Sequence, residues 1–390
     1  MAEPLRIYII AGEASGDLLG AHLMQSLKAL SSRKIKFYGV GGERMQAEGL
    51  KSLFPYQELS LLGFFEVLPH AFNVFARVNH TVDDILTKQP DIVVTIDVPG
   101  FSFRVVKKLR AAKFTAKYIH YVAPTVWVYK PQRAAICAQL FDHLLTLLPF
   151  EKAYFDAVGL PCTFVGHPVV AETPLGDATA FRKKYQIDEN VLLFCLLPGS
   201  RKGEITRHMP IFARAIALLA TINPNLALVV AVPKNGLQIV APYFDKCPFR
   251  AVITSDEQDK KDAIATCNMA IVKSGTVALE VAMAGVPMLV AYRVQALSAW
   301  MMKRISLIKY ANLINVVLKR EVIPEFLQEL CNPLMIASAA SQLLRDSKWK
   351  LRQKEQAASA LAQLLPGNGQ RPSDIAARTI LGDWVGTPET

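Results

Sequence analysis

Apolar residues along the chain fall into short continuous runs, separated by stretches of helical spacing. The runs are Leu5–Ala11, Lys36–Val40, Ile92–Ile96, Lys117–Val122, His143–Leu148 and Cys162–Val165. A second series follows at Val191–Leu197, Leu226–Val232, Ala251–Thr254, Met269–Val272 and Met288–Tyr292. Continuous runs of this length predict parallel strands covered on both faces, because a strand with one wet face would alternate. Amphipathic spacing between them, as in Asp17–Leu30 and Ser102–Ala112, predicts crossover helices. The pattern is that of an α/β protein with two doubly wound, Rossmann-like domains facing a cleft, joined through the turn-rich segment 166–177. Residues 1–168 are assigned to an N-terminal domain, 169–345 to a C-terminal domain, and 346–390 to a helical tail that returns to the first domain.

Composition narrows the partners. The 390 residues fit two domains of ordinary size, and a hydrophobic share of 52% prompts a search for membrane contact. No apolar run reaches about eighteen residues, since Lys273 and Glu280 break the longest and Lys303, Arg304 and Lys309 the next. The N-terminus enters a strand without a cleavage site, so a cytoplasmic location is expected. Six cysteines without a CxxC pair indicate neither a disulfide framework nor zinc, and no metal site or cofactor is expected. A net charge of +11 favours anionic partners. No nucleic-acid module is recognisable, which leaves anionic lipid or a nucleotide substrate. Two segments predict contact with a membrane surface: 59–68, with Phe64 and Phe65 at its centre, and 299–305, which mixes apolar bulk with cations. Core or dimer packing is the alternative for the first, and a homodimer stays open.

The chemistry-bearing residues cluster at predicted strand ends. Ser274-Gly275-Thr276 follows a strand and opens a helix, a place that attracts phosphate, and Glu280 lies four residues beyond Thr276, roughly 6 Å along the axis, where it suits ribose hydroxyls. An ordinary βαβ crossover is the alternative. Asp97 follows the run 91–96 and is placed for general-base work, or for a helix N-cap. In the segment 196–201, Ser200 and Arg201 close another strand; Arg201 is the cation for a leaving diphosphate, and no DxD metal motif appears. The loop 12–17 matches neither GxGxxG nor the Walker pattern, so it is read as a relaxed loop with Ser15 capping the helix and Glu13 and Asp17 facing a sugar, or as a structural turn. His120, in a strand, is more simply a core residue than a catalyst; Trp127 stacks on a sugar, lines a lipid channel or only packs.

Taken together, AGEASGD (11–17), GVGGERMQAEG (39–49), IDVPGF (96–101), IHYVAPTVW (119–127), LPFEKAYF (148–155), LLPGSR (196–201), SGTVALE (274–280) and YR (292–293) resemble, in order and over nearly the whole chain, the lipid-A-disaccharide synthase family of GT-B glycosyltransferases. The resemblance implies inverting transfer of 2,3-diacylglucosamine from UDP to the 6-hydroxyl of 2,3-diacylglucosamine 1-phosphate, on the cytoplasmic side of the inner membrane of a Gram-negative bacterium, with peripheral membrane association. It implies an acceptor-side first domain, with Glu13, Ser15, Asp17, Phe64, Phe65, His120 and Trp127 on the acceptor and lipid side and Asp97 as base. It implies a donor-side second domain in which Ser200, Arg201, Ser274, Gly275, Thr276, Glu280, Asn315, Glu325 and Gln328 hold the UDP donor. Asn312 competes with Asn315 because the proline common before the site asparagine is missing, and Gly100 stands where many relatives have a second acid. The rivals are another UDP-sugar enzyme of the same fold, such as a UDP-N-acetylglucosamine epimerase, and a non-catalytic nucleotide-binding membrane adaptor.

Overall fold

The computed structural model describes residues 3–60, 67–295, 309–367 and 369–382, with 60 and 67–73 as backbone only. Phe64, Phe65 and the segment 299–305 therefore lie outside the described residues. The chain divides into two compact units, one of residues 1–171 with 364–390 and the other of residues 172–363.

The first unit carries a six-stranded parallel sheet of β1 (Leu5–Ala11), β2 (Ile35–Val40), β3 (Ile92–Ile96), β4 (Lys117–Tyr121), β5 (His143–Thr146) and β6 (Cys162–Phe164), in the order β2-β1-β3-β4-β5-β6. Successive side chains of β1 serve opposite faces: Ile7, Ile9 and Ala11 enter one apolar core, Tyr8 and Ile10 the other. That two-sided burial is the physical reason for the unbroken apolar runs. The register pairs Ala11 with Ile96 and Ile96 with Tyr121, so β1, β3 and β4 end level. Gly12, Asp97 and Val122 follow at the carboxyl edge, where the strand order reverses between β1 and β3.

The second unit repeats the architecture with β7 (Leu192–Leu197), β8 (Leu226–Ala231), β9 (Arg250–Thr254), β10 (Met269–Val272), β11 (Met288–Tyr292) and β12 (Glu325–Leu327), in the order β12-β11-β10-β7-β8-β9. Here the order reverses between β7 and β10. The strand β12 has no counterpart in the hydrophobic pattern, being three residues long and led by a glutamate. The helix Lys202–Ile222 is, among the described residues, long and apolar enough to cross a membrane, but Ile205, Met209, Phe212, Ile216 and Leu219 bury its inner face in the second core.

The tail is shared between the units. Gln353, on the helix Ser347–Gln363, exchanges hydrogen bonds with the backbone of Met288 at 2.7 and 3.1 Å, which ties that helix to the second unit. The helix Pro372–Leu381 returns to the first unit, where Ala376, Ala377 and Ile380 pack with Leu23 and Leu27 of the helix Ala14–Leu30, and Ser26 Oγ donates to Asp374 Oδ1 at 2.7 Å.

Candidate functional site

In the second unit, the carboxyl ends of β7, β8, β9 and β10 surround a cavity of about 270 Å³. Its walls include Gly199 and Ser200 after β7, Ser255, Asp256 and Glu257 after β9, and Lys273, Gly275, Thr276 and Glu280 after β10. Open α/β sheets bind ligands at this crevice because the diverging crossovers leave a gap that no side chain fills. Glu280 faces the cavity from the helix Val277–Met283, and its Oε2 lies 3.2 Å from Lys260 Nζ. That oxygen is buried and lacks an aligned hydrogen bond, so the contact is ionic. Lys260 Nζ also lies 2.8 Å from Glu257 Oε2. Although burial works against its charge, these two carboxylates hold the Lys260 ammonium above its ordinary pKa. Lys273 Nζ lies 3.0 Å from Glu204 Oε1, on the first turn of the helix Lys202–Ile222.

The turn at 198–200 is held from beneath by His208, fully buried in the helix Lys202–Ile222. One ring nitrogen, Nδ1, lies 2.8 Å from the Pro198 carbonyl, while Nε2 accepts the Arg293 N–H at 3.1 Å. The network therefore assigns the proton to Nδ1. Burial pushes the His208 pKa down, which favours this neutral tautomer. Gly199 adopts φ +127°, and a Cβ there would fall 2.7 Å from Glu204 Oε2, so the turn admits no side chain.

The expected donor-side residues separate into two groups. Ser200, Gly275, Thr276 and Glu280 line the cavity. Ser274 does not; its Oγ donates to the Ala311 carbonyl at 2.7 Å and ties the turn to the next loop. Arg201 is exposed at the N-cap of the helix Lys202–Ile222 and is not among the lining residues. Asn315 and Glu325 face each other within the fold. Asn315 Oδ1 accepts the N–H groups of Val322 and Ile323 at 2.8 and 2.9 Å, and its Nδ2 donates to Ile323 O and to Glu325 Oε1, both at 2.7 Å. Glu325 also accepts from the Ala311 and Asn312 N–H groups, at 2.7 and 2.9 Å. Asn312 caps the helix Leu313–Leu318. Gln328, partly exposed, sits just beyond β12 at φ +52°. Lys260, Lys273 and His208 went unassigned in the sequence because a lone cation or histidine in a helix or after a strand has no distinguishing pattern.

In the first unit Asp97 stands at the level edge of β1, β3 and β4, partly exposed and in strained backbone: φ is +53° at Asp97 and +45° at Val98. Three hydrogen bonds hold this conformation. Asp97 N–H donates to Tyr121 O at 2.9 Å, Val98 N–H to Asp97 Oδ1 at 2.8 Å, and Ser102 Oγ to Asp97 O at 2.9 Å. The neighbouring expectations change. The cap of the helix Ala14–Leu30 is Glu13 and not Ser15, which is exposed on the first turn. Asp17 is buried and faces no sugar; it accepts the N–H groups of Gly42, Arg44 and Met45 at 2.7, 3.1 and 3.1 Å, holding the short helix Glu43–Ala47. His120 is a core residue, 2.7 Å from Thr95 Oγ1 and stacked on Phe141 at 4.8 Å, and burial pushes its pKa down to about 3. Trp127 Nε1 donates to the buried carboxylate of Glu151 at 3.1 Å.

Comparisons agree with this architecture. The model of the lipid-A-disaccharide synthetase family matches residues 7–379. The lipid-A-disaccharide synthase of Rhodospirillum centenum (strain ATCC 51521 / SW) is 42% identical over 380 residues, covering 97% of this chain and 94% of that protein. That of Rickettsia prowazekii (strain Madrid E) is 40% identical over 383 residues, covering 97% and 100%. Among solved structures, the Neisseria meningitidis UDP-GlcNAc 2-epimerase bound to UDP-GlcNAc superimposes with a TM-score of 0.66 at 11% identity, covering 97% of this chain and all 100% of that one. The S. aureus MnaA–UDP structure superimposes at 0.68 and 14% identity, over 99% of each chain. At such identities the likeness concerns the fold alone.

Proposed function

The chain belongs to the lipid-A-disaccharide synthetase family, a family of glycosyltransferases of lipid A biosynthesis, and from that premise we propose that it joins UDP-2,3-diacylglucosamine to 2,3-diacylglucosamine 1-phosphate by a single inverting displacement. The cavity in the second unit holds the UDP of the donor, with Glu280 accepting the ribose hydroxyls and Ser200, Gly275 and Thr276 lining the phosphate path. The single observation that supports this most is Glu280, a carboxylate that lines the strand-end cavity beyond the turn 275–276 and is held there by Lys260 at 3.2 Å. A carboxylate has acceptor capacity for two sugar hydroxyls beside its ion pair.

In the displacement, the acceptor 6-oxygen attacks C1 of the donor sugar from the face opposite UDP. The O6–C1 bond forms as the C1–O bond to the diphosphate breaks, the bonding pair leaves with UDP, and the acceptor proton passes to the Asp97 carboxylate. An aspartate is a weak base, so it takes the proton late, once bond formation has acidified the hydroxyl. The bonds from Tyr121, Val98 and Ser102 fix the backbone at 97–98 and so limit where the carboxylate can swing. Arg201, exposed at the mouth of its turn, meets the diphosphate as charge builds on it. Acylated substrates place the enzyme at the cytoplasmic face of the inner membrane, where a net charge of +11 favours anionic lipid.

Mass spectrometry of the lipid product and an assay of UDP release test this reading with the two purified lipid substrates. Asp97→Asn is expected to lower turnover by about a hundredfold or more, the usual scale for a lost general base, with UDP affinity retained. Undiminished turnover in that variant removes Asp97 from the reaction, and binding of UDP without turnover in the wild type favours the non-catalytic adaptor.

A further inference from the structure

Among the described residues lining the cavity, two carry positive charge, Lys260 and Lys273, and they are not equivalent. Lys260 is bracketed by two carboxylates, Glu257 at 2.8 Å and Glu280 at 3.2 Å, so its charge is already outweighed locally. Lys273 contacts one, Glu204 at 3.0 Å. We propose that Lys273 is a direct ligand of the nucleotide diphosphate, held in position by Glu204 and the ring of Tyr292. The inference rests on the reading of this cavity as the UDP site.

Lys273 is the first residue beyond β10, at the reversal between β7 and β10, and its N–H donates to Leu197 O at 2.9 Å. Its backbone is thus fixed to both strands that frame the crevice. The side chain lies over Tyr292, with Nζ 5.1 Å from the ring centroid, and is about one-fifth exposed. A methyl built on Gly275 would fall 3.8 Å from Nζ, so the ammonium stands directly above the turn 275–276. On its other side Glu204 packs against Gly199. The ammonium therefore sits between the two turns that border the cavity. An ammonium has three donors, and one bond to Glu204 leaves capacity for phosphate oxygens on the cavity side. Burial pushes the Glu204 carboxyl up, yet Lys273 and the Arg201 N–H more than offset it, so the carboxylate stays charged and keeps the ammonium in place at neutral pH.

A residue that merely braces the fold would affect all ligands of the cavity alike, whereas a phosphate contact discriminates between UDP and uridine. Titration calorimetry of both ligands is performed on wild type, Lys273→Met, Lys273→Arg and the double variant Lys273→Met with Glu204→Gln. The last removes the carboxylate that the single change strands without its partner, and thermal unfolding checks that each variant folds. The expected result is UDP binding about tenfold weaker in both methionine variants, near wild type in Lys273→Arg, and uridine binding within about twofold throughout. Equal weakening of UDP and uridine, or UDP affinity that the methionine variants leave unchanged, overturns the role of Lys273 while the UDP site stands. Failure of the wild type to bind UDP at all overturns the site and this inference with it.

Discussion

Gly12, at the end of β1, lies so close to Val98, beyond the end of β3, that a methyl built on it would fall 2.9 Å from Val98 Cγ2. The same methyl would meet the Leu59 side chain at 3.3 Å, so it cannot be accommodated by moving one neighbour. Val98 and Asp97 share a pair of left-handed backbone conformations, and displacing one turns the other. Gly12→Ala is therefore expected to cost roughly 1–3 kcal/mol of stability, the scale of an overpacked core, and to lower turnover by tenfold or more. On the proposed reading UDP binds the other unit, so UDP affinity is expected to stay unchanged. Thermal unfolding, UDP titration and the turnover assay together check this.

Removing the Asp17 carboxylate strands three backbone N–H groups, of Gly42, Arg44 and Met45. Each loses a charge-assisted bond, and those of Gly42 and Met45 are buried. Asp17→Ala is expected to destabilise the first unit by about 3 kcal/mol or more, with UDP binding in the second unit preserved. Loss of UDP binding without loss of stability would contradict this assignment.

Burial raises the Glu151 carboxyl to about 7 from an ordinary 4.5, against the opposing pull of its bonds from Trp127, Leu148 and Leu147. The folded chain therefore holds this proton more tightly than the unfolded one. Its contribution to stability is full below about pH 4.5, falls as pH rises through 4.5–7, and is constant above. The total fall is on the order of 3 kcal/mol. Glu151→Gln is expected to remove that slope, read as the difference between variant and wild-type denaturation midpoints across the pH range. A difference that does not vary with pH counts against it.

Asn315 uses both ends of its amide to hold the 322–325 segment, including Glu325. Asn315→Ala leaves the buried N–H groups of Val322 and Ile323 and one Glu325 oxygen short of partners. The expected cost is roughly 2–4 kcal/mol of stability in urea denaturation. Asn315→Asp places a second carboxylate beside Glu325 and is expected to be worse. A variant as stable as wild type, with only substrate binding impaired, would return Asn315 to the ligand.

Among the described residues, the hydrophobic pattern carried eleven of the twelve strands to within one or two residues, because strands buried on both faces must be apolar throughout and each run is long enough to register. β12 escaped because Glu325–Leu327 is too short to form a run and its glutamate faces a loop that is distant in sequence. The motifs after the strands were legible as turns, since Gly199 and the segment 274–276 announce their backbone needs locally.

What the chain alone settled was therefore the order of elements, the two wound sheets and the turns that follow the strands, all consequences of local periodicity and turn residues. The partner of each polar side chain was left to the tertiary structure. Asp17 and Asp97 both follow parallel strands, yet one caps a helix from within the protein and the other stays partly exposed at the sheet edge. Arg201 and Lys273 are both cations beside strand-end turns, yet it is Lys273 that lines the cavity. Hydrogen bonds and ion pairs act over about 3 Å between residues many positions apart, and only the folded arrangement of the strands decides which of them meet.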